Sequence, residues 1–342
     1  DNGNSDRYSL ANTYYLKYGD SIKVQNQWID NLNRNHEYRV QLTYMEPVFT
    51  NHFIEINYSY QHRSSLSEKY AYDWNDLEDS YSQYPDTAQS DCYKNKYSIH
   101  QVGAFFRTIR TNYFYNIGIE IEPQQTTNQS YMRDTTLEYS SRNAINYAPT
   151  MNFKYTFSKQ TTLRINYRGR TTQPSMTDLY SKNDISDPLN IRLTNPNLKP
   201  SFNNNISATF NTYFTETLRS FNANFSYSNT INSTTRIVTY DENTGGRTTQ
   251  PTNVNGNWRI NGSFTFSTPL SNKKFTVNTY TNANYGNSVG FTVLNKESDA
   301  VKSNTTNLFL SERLKGNYRS DLIDCELSAG IRYQKSEHSI KK

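Results

Sequence analysis

Long apolar runs and cysteines are scarce in this 342-residue chain. No stretch of about 18 consecutive apolar residues occurs, which excludes a bundle of membrane-spanning helices. The two cysteines, Cys92 and Cys325, lack a Cys-x-x-Cys spacing, so they predict neither a zinc site nor a disulfide framework. Cysteine usage therefore favours no redox compartment.

A strong excess of charge of one sign is also missing. The 36 Lys and Arg residues and 31 Asp and Glu residues give a formal net charge of +5, and they are scattered along the chain. Proteins that bind nucleic acids present a basic stripe, often interleaved with aromatic side chains that stack on bases. The sequence therefore predicts no nucleic-acid partner.

Spacings typical of catalytic and metal sites are absent as well. The five histidines are dispersed, with no His-Glu-x-x-His pattern, and neither a nucleophile elbow nor a phosphate-binding glycine loop occurs. The acidic segment 73–91 offers oxygen ligands for calcium but lacks the spacing of a calcium-binding loop, so a solvated loop is the alternative. We expect no enzyme activity and no cofactor.

What the chain does contain is the composition of β-strands. It has 29 Tyr and 17 Phe, together with many Thr, Ser and Asn residues, while Ala and Leu are scarce. Aromatic and β-branched residues favour strands. The mean hydropathy of −0.90 permits a transmembrane β-barrel, because such a barrel needs apolar residues only at alternate positions.

Alternating strands recur as six hairpins with short turns. In one of them Leu163, Ile165 and Tyr167 share a face, while the residues between them are polar. Short turns are expected at 46–51, 107–111, 158–160, 215–219, 267–274 and 317–321. Long polar loops are expected at 61–96, at 122–146 and between Tyr167 and Ile206. Residues 1–35 could form two short strands or an outer loop, and 234–239 should pair with 247–254, extending the sheet.

Short turns that alternate with long loops are typical of outer-membrane barrels, whose periplasmic turns are short and whose extracellular loops are long. Tyrosines and phenylalanines tend to end the apolar stripes, as in the aromatic girdles of such barrels. We predict an all-β fold: one region, 1–342, of an antiparallel transmembrane β-barrel in the bacterial outer membrane, with about twelve long strands. A soluble β-sandwich or solenoid that binds glycans through exposed tyrosines is an alternative.

Three stretches carry a resemblance to a known family: Tyr44-Met45-Glu46-Pro47, Leu163 to Leu179, and Asp187-Pro188-Leu189-Asn190 running into Asn195-Pro196-Asn197-Leu198-Lys199-Pro200. With them the chain resembles the TonB-dependent outer-membrane receptors of Bacteroidota, within the outer-membrane β-barrel family. The last stretch is the most specific of the three.

The resemblance implies a 22-stranded barrel closed by an N-terminal plug and opened by the inner-membrane TonB complex. It implies import of a scarce siderophore, cobalamin, glycan or peptide, contact with outer-membrane lipids, and a surface lipoprotein as a further partner. The sequence contains no signal peptide, plug or final strand, so we expect an incomplete portion of the barrel. A plug-free porin or a surface adhesin is the alternative.

The candidate functional residues lie in the proline-rich loop. They are Pro174, Asp187, Pro188, Asn195, Pro196, Leu198, Lys199 and Pro200. They could line an extracellular vestibule that meets the substrate, or form a rigid entry that sets the register of the next strand. Proline fixes φ and disfavours helix at the residue before it, which favours the rigid entry.

Overall fold

The computed structural model describes residues 2–340 except 16–20, 88, 133–134, 180–182, 184–186, 188, 242–244, 271–273 and 293–299. In chain order the elements are β1 (Asn2–Tyr15), β2 (Ser21–Phe49), β3 (His52–Asn75), β4 (Ser80–Tyr81), β5 (Asp91–Ile109), β6 (Tyr113–Met132), β7 (Thr135–Ser158), β8 (Thr161–Thr172), α1 (Met176–Leu179), β9 (Asn190–Arg192), β10 (Ser201–Phe214), β11 (Arg219–Ile231), β12 (Ser233–Tyr240), β13 (Arg247–Val254), β14 (Asn257–Pro269), β15 (Phe275–Thr292), β16 (Val301–Arg319) and β17 (Asp324–His338). None of the helical segments described is long and apolar enough to cross a membrane.

One large antiparallel sheet contains most of the strands. Its order is β1-β2-β3-β5-β6-β7-β8-β10-β11-β14-β15-β16-β17, and β4 pairs only with β3. Each strand therefore lies beside the next long strand of the chain. Within the described residues the sheet is open, with β1 and β17 at its edges. The all-β, antiparallel prediction is confirmed, and all six predicted hairpins are present.

Two of the predicted long loops are much shorter than predicted. In place of a loop at 61–96, β3 continues to Asn75 and pairs with β5, down to Lys69 opposite Asp91. In place of a loop at 122–146, β6 and β7 remain paired up to Met132 and Thr135. These segments are polar, and a polar strand keeps its backbone hydrogen bonds as well as an apolar one does, so composition alone did not indicate the strands.

The remaining segments follow the predictions in part. Residues 2–15 and 21–34 form the paired strands β1 and β2, so two strands rather than a loop open the chain. The predicted pairing of β12 with β13 is confirmed. These strands do not extend the large sheet, however, because β9 joins β13 in parallel to make a separate three-stranded sheet.

The two faces of the large sheet differ in polarity because successive side chains of a strand alternate. One row of outward side chains across β2, β3, β5, β6 and β7 is entirely apolar and 40–65% exposed; it consists of Leu42, Tyr58, Val102, Ile121 and Tyr147. We call the outward rows of these strands, from that of Ile54 and Phe106 to that of Tyr60 and His100, the apolar belt. A surface of this kind needs an apolar environment to cover it.

Candidate functional site: a loop folded onto the inner wall

The inner wall, which is the face opposite the apolar belt, is charged on its first strands. Glu55 pairs with Arg107 at 2.5 Å. Arg39 Nη2 donates to Gln101 Oε1 at 3.0 Å, and Gln101 Nε2 donates to Glu120 Oε2 at 2.6 Å. These bonds cross from strand to strand, so the polar side chains hold one another in place along the wall.

On β10, β11, β14 and β15 the inner wall is formed by amides and hydroxyls. Thr209 Oγ1 donates to Asn224 Oδ1 at 3.0 Å, and Asn224 Nδ2 donates to Ser263 Oγ at 3.2 Å. Asn261 Nδ2 donates to Ser226 Oγ at 3.0 Å. These groups line an open cavity of about 610 Å³. This part of the wall offers many hydrogen-bonding groups and little charge.

The proline-rich segment 173–200 is here called the inner loop, and its described residues fold onto the inner wall beyond the apolar belt. Together they enclose a cavity of about 300 Å³. The strands contribute Arg63, Tyr97 and Arg142, and the inner loop contributes Pro174 and Leu179. The Arg63 guanidinium carbon lies 5.8 Å from the centroid of the Tyr97 ring, within range of a cation–π interaction. The cavity thus combines two cations with an aromatic ring.

An apolar anchor holds the inner loop in this position. Leu179 and Leu198 are 2% and 3% exposed and form one cluster, against which Tyr97 packs. Ser175 begins α1, since the backbone N–H of Asp178 donates to Ser175 Oγ at 3.1 Å. The backbone N–H of Asn195 donates to the Asp178 carbonyl at 2.7 Å, which ties the two halves of the inner loop together.

The predicted residues from Asn195 to Pro200 contact the β12–β13 hairpin. Asn195 Nδ2 donates to the Pro251 carbonyl at 2.9 Å. The backbone N–H of Lys199 donates to Asn253 Oδ1 at 2.7 Å, and Asn253 Nδ2 donates back to the Lys199 carbonyl at 3.0 Å. Pro200 directly precedes β10. The structure therefore brings Asn195 and Lys199 together with Pro251 and Asn253 of the hairpin, partners that the sequence analysis missed.

The other predicted residues are dispersed. Asp187 is exposed and accepts hydrogen bonds from its near neighbours Leu189 and Asn190, at 2.9 and 2.6 Å. Pro196 is exposed, whereas Pro174 lines the cavity. Pro188 lies outside the described residues.

Sequence analysis also missed Arg63, Tyr97 and Arg142. Arg63 and Arg142 fall in the segments that were interpreted as loops, and Tyr97 directly follows the first of them. Their signal is an alternation whose faces are reversed relative to the membrane segment. From Tyr93 to Ile99 the odd positions face inward and are mostly aromatic or apolar, whereas Lys94 and Lys96 face outward. Beyond the lipid the inner face packs against the loop and the outer face is wet, so apolar residues change sides.

Two titratable groups beyond the apolar belt are held in their neutral forms. Burial raises the pKa of the Cys92 thiol, whose Sγ lies 3.8 Å from the Lys69 carbonyl. Burial also raises the pKa of Tyr131, and its hydrogen bond to Glu68 Oε1 at 2.5 Å raises the pKa further. A buried neutral thiol is a poor nucleophile, so Cys92 packs as a small apolar side chain. In the described part of the chain no group of three His, Cys, Asp or Glu side chains is placed to hold a metal ion.

Comparison with known proteins identifies the family. The profile of the outer membrane protein β-barrel family matches residues 1–338. The chain belongs to the outer membrane protein β-barrel family. A barrel of this family lies in the bacterial outer membrane, so the apolar belt is its lipid-facing surface and the opposite face is the wall of its lumen. None of the curated proteins compared with the sequence matches it.

Two solved structures are similar to this chain at low sequence identity. The copper transporter OprC superposes with a TM-score of 0.51 and 11% identity, over 90% of this chain and 48% of OprC. A double mutant of the hemophore receptor HasR of Serratia marcescens, in complex with its hemophore HasA and heme, gives a TM-score of 0.47 and 11% identity, over 91% of this chain and 62% of HasR. The chain spans about half the length of OprC and less than two thirds of HasR.

Proposed function

We propose that this barrel region belongs to a TonB-dependent transporter that imports a scarce solute across the outer membrane. The observation that carries the proposal is the inner loop, which is anchored on the lumen wall by Leu179 and Leu198 instead of extending into solvent. An anchored loop narrows the passage and leaves a lined cavity in it, as a selective transporter requires. The fold that the chain shares with OprC, a copper transporter, supports this function and fits a role that is not enzymatic.

The cavity beneath the inner loop is the proposed point of solute binding. Arg63 and Arg142 supply cations, and arginine binds carboxylates and other planar anions through paired hydrogen bonds. Tyr97 adds an aromatic surface. This chemistry favours a solute with an anionic group within the range of siderophores, cobalamin, glycans and peptides.

The amide and hydroxyl wall is the proposed path below that cavity. Its side chains already bond to one another, for example Asn261 to Ser226 at 3.0 Å. Exchanging such bonds for bonds to a solute or to water changes the free energy of the wall little, since a neutral hydrogen bond contributes a net of about 1 kcal/mol. A solute, or a plug docked on this wall, can therefore move past it without being trapped. The TonB complex would supply the work of opening, and a surface lipoprotein stays a predicted partner.

Uptake by cells that carry the full-length protein tests the proposal. A panel of siderophores, cobalamins, oligosaccharides and peptides is supplied as the limiting nutrient, with and without an intact TonB complex. We expect uptake of one class that requires TonB. Arg63→Ala and Arg142→Ala should each weaken solute binding about tenfold or more, because each charge-assisted bond contributes about 1.5–3 kcal/mol. Lys154→Ala, on the lumen face of β7, is the matched control.

Two results would contradict the proposal. Solute entry that is independent of TonB, together with a large steady conductance in planar bilayers, would identify a plug-free porin. Attachment of cells to a surface without any solute uptake would identify an adhesin.

A further inference from the structure

The outward face of β2, β3, β5, β6 and β7 becomes basic immediately beyond the apolar belt. Side chains of Arg34, His36, His62, Lys94 and Lys96 occupy three successive cross-strand rows there, and we call them the basic band. The other members of these rows are neutral: Tyr38, Ser64, Leu66, Ser98, Gln125, Thr127, Gln129, Tyr139, Ser141 and Asn143. The band is therefore continuous with the lipid-facing surface and carries charge of one sign.

The height of the basic band matches the lipid headgroups. Ser64, which pairs with Lys96, lies ten residues along β3 from Ile54 at the lower end of the belt. At about 3.4 Å per residue and a tilt of about 40°, this separation is about 26 Å along the membrane normal. The apolar layer of an outer-membrane barrel is about 25 Å tall. The lysines thus leave the hydrocarbon on the side of the extended strands, which is the extracellular leaflet.

Among the described residues, no carboxylate neutralises the band. The next acidic residue on this face by register is Glu68, one row further out, and its Oε1 accepts the short hydrogen bond from Tyr131. Asp30 lies further still from the belt. Neither Lys94 nor Lys96 forms an ion pair with any described residue. A face that met only water would be expected to mix both signs, as solvated surfaces do.

The two lysines also share a shallow cavity of about 300 Å³. His62, Ser98 and Tyr139 line it beside them, and His62 Nδ1 lies 3.3 Å from Ser98 Oγ. The cavity therefore presents ammonium, imidazole and hydroxyl groups within one small volume. Such groups together satisfy the oxygens of a phosphate group.

We infer that the basic band binds the phosphorylated headgroup of a glycolipid in the outer leaflet, while the acyl chains of that lipid lie on the apolar belt. The glycolipid is preferred over a soluble anion because the site continues directly into the lipid-facing surface. Each basic side chain near a membrane surface raises the affinity of a protein for anionic lipids about fivefold. Bound lipid would fix the height of β2 to β7 in the membrane, independently of any solute that the lumen transports.

Binding of diphosphoryl lipid A to the full-length protein in detergent micelles tests the site. We expect Lys94→Gln/Lys96→Gln to bind lipid A about 25-fold more weakly, since two fivefold contributions are lost. Lys94→Arg/Lys96→Arg should restore binding. Lys69→Gln/Lys154→Gln removes the same charge from inward positions on β3 and β7 and should bind normally. If the double variant does not fold, Lys96→Gln alone tests the site, because Lys96 is exposed. It should weaken lipid A binding about fivefold.

Enzymatically dephosphorylated lipid A and inorganic phosphate distinguish the sources of the anion. Loss of binding on dephosphorylation, with no displacement by millimolar inorganic phosphate, would support the site. Equal affinity for the dephosphorylated lipid, displacement by inorganic phosphate, or unchanged binding by the glutamine variants would overturn it.

Discussion

Leu198 shows how a single side chain positions the inner loop. It lies within the motif from Asn195 to Pro200, yet it is only 3% exposed and packs with Leu179 and Tyr97, which are distant in sequence. Its neighbours Pro196 and Asn197 are exposed. The motif therefore joins the loop to the wall through its apolar member, while its amides bond to the β12–β13 hairpin.

Leu198→Ala should release the inner loop without unfolding the barrel. Removing a buried leucine side chain costs about 2–5 kcal/mol. Here the substitution destabilises the inner loop rather than the sheet, because the β ladders do not depend on Leu198. We expect residues 173–200 to become sensitive to limited proteolysis while the thermal unfolding midpoint stays close to that of the wild type. Asn197→Ala is the control, and equal protection of both variants would show that Leu198 is not the anchor.

At the scale of one element, β6 separates lipid from lumen with every second residue. Ile119 faces outward and is 42% exposed, whereas its neighbour Glu120 faces inward and accepts the hydrogen bond from Gln101. Adjacent residues of one strand thus meet opposite environments. This alternation is the feature that made β6 recognisable in the sequence.

Arginine substitutions at these two positions should differ in cost. Ile119→Arg places a charge in hydrocarbon and should lower the free energy of unfolding by about 2–4 kcal/mol. Glu120→Arg should cost about 1 kcal/mol, since it loses one hydrogen bond but remains in a polar lumen. Denaturant unfolding in lipid vesicles measures both. Equal costs would mean that the assignment of the two faces is wrong.

On the scale of the whole molecule, the large sheet ends at β1 and β17 in the described structure. A strand edge in hydrocarbon leaves backbone N–H and C=O groups without partners, and each such group costs several kcal/mol. Because β1 pairs only with residues 21–34 of β2, the edges at the height of the apolar belt are residues 35–49 of β2 and the strand β17. In the membrane these two edges must therefore be paired, with each other or with further strands of the full-length protein. The family places the sheet in a barrel, which closes its edges in this way.

Hydrogen exchange on the full-length protein in lipid tests the pairing of β17. The backbone amides from Leu327 to Tyr333 should exchange as slowly as those of β6, because both strands then have two partners. Rapid exchange confined to β17 would show that the edge stays open. The amides of residues 50–51, in the turn between β2 and β3, supply the fast-exchanging reference within the same sample.

The sequence by itself determined the strands that cross the membrane and the turns between them. Lipid requires an apolar side chain at every second position of a strand. The alternation of Ile117, Ile119 and Ile121 with polar residues therefore predicts a strand, and it indicates which face of that strand meets lipid. The resemblance carried by Asn195 to Pro200 indicated the family, which the profile over residues 1–338 confirmed.

Tertiary structure alone decided what happens beyond the lipid. There the outward face is polar and the inward face packs, so the alternation reverses its faces, and the extensions of β3, β5, β6 and β7 have the composition of loops. The position of the inner loop depends on contacts between residues far apart in sequence, such as Leu198 with Tyr97 and Lys199 with Asn253. Local patterns cannot encode such contacts, because the burial that drives them exists only once the distant strands have assembled.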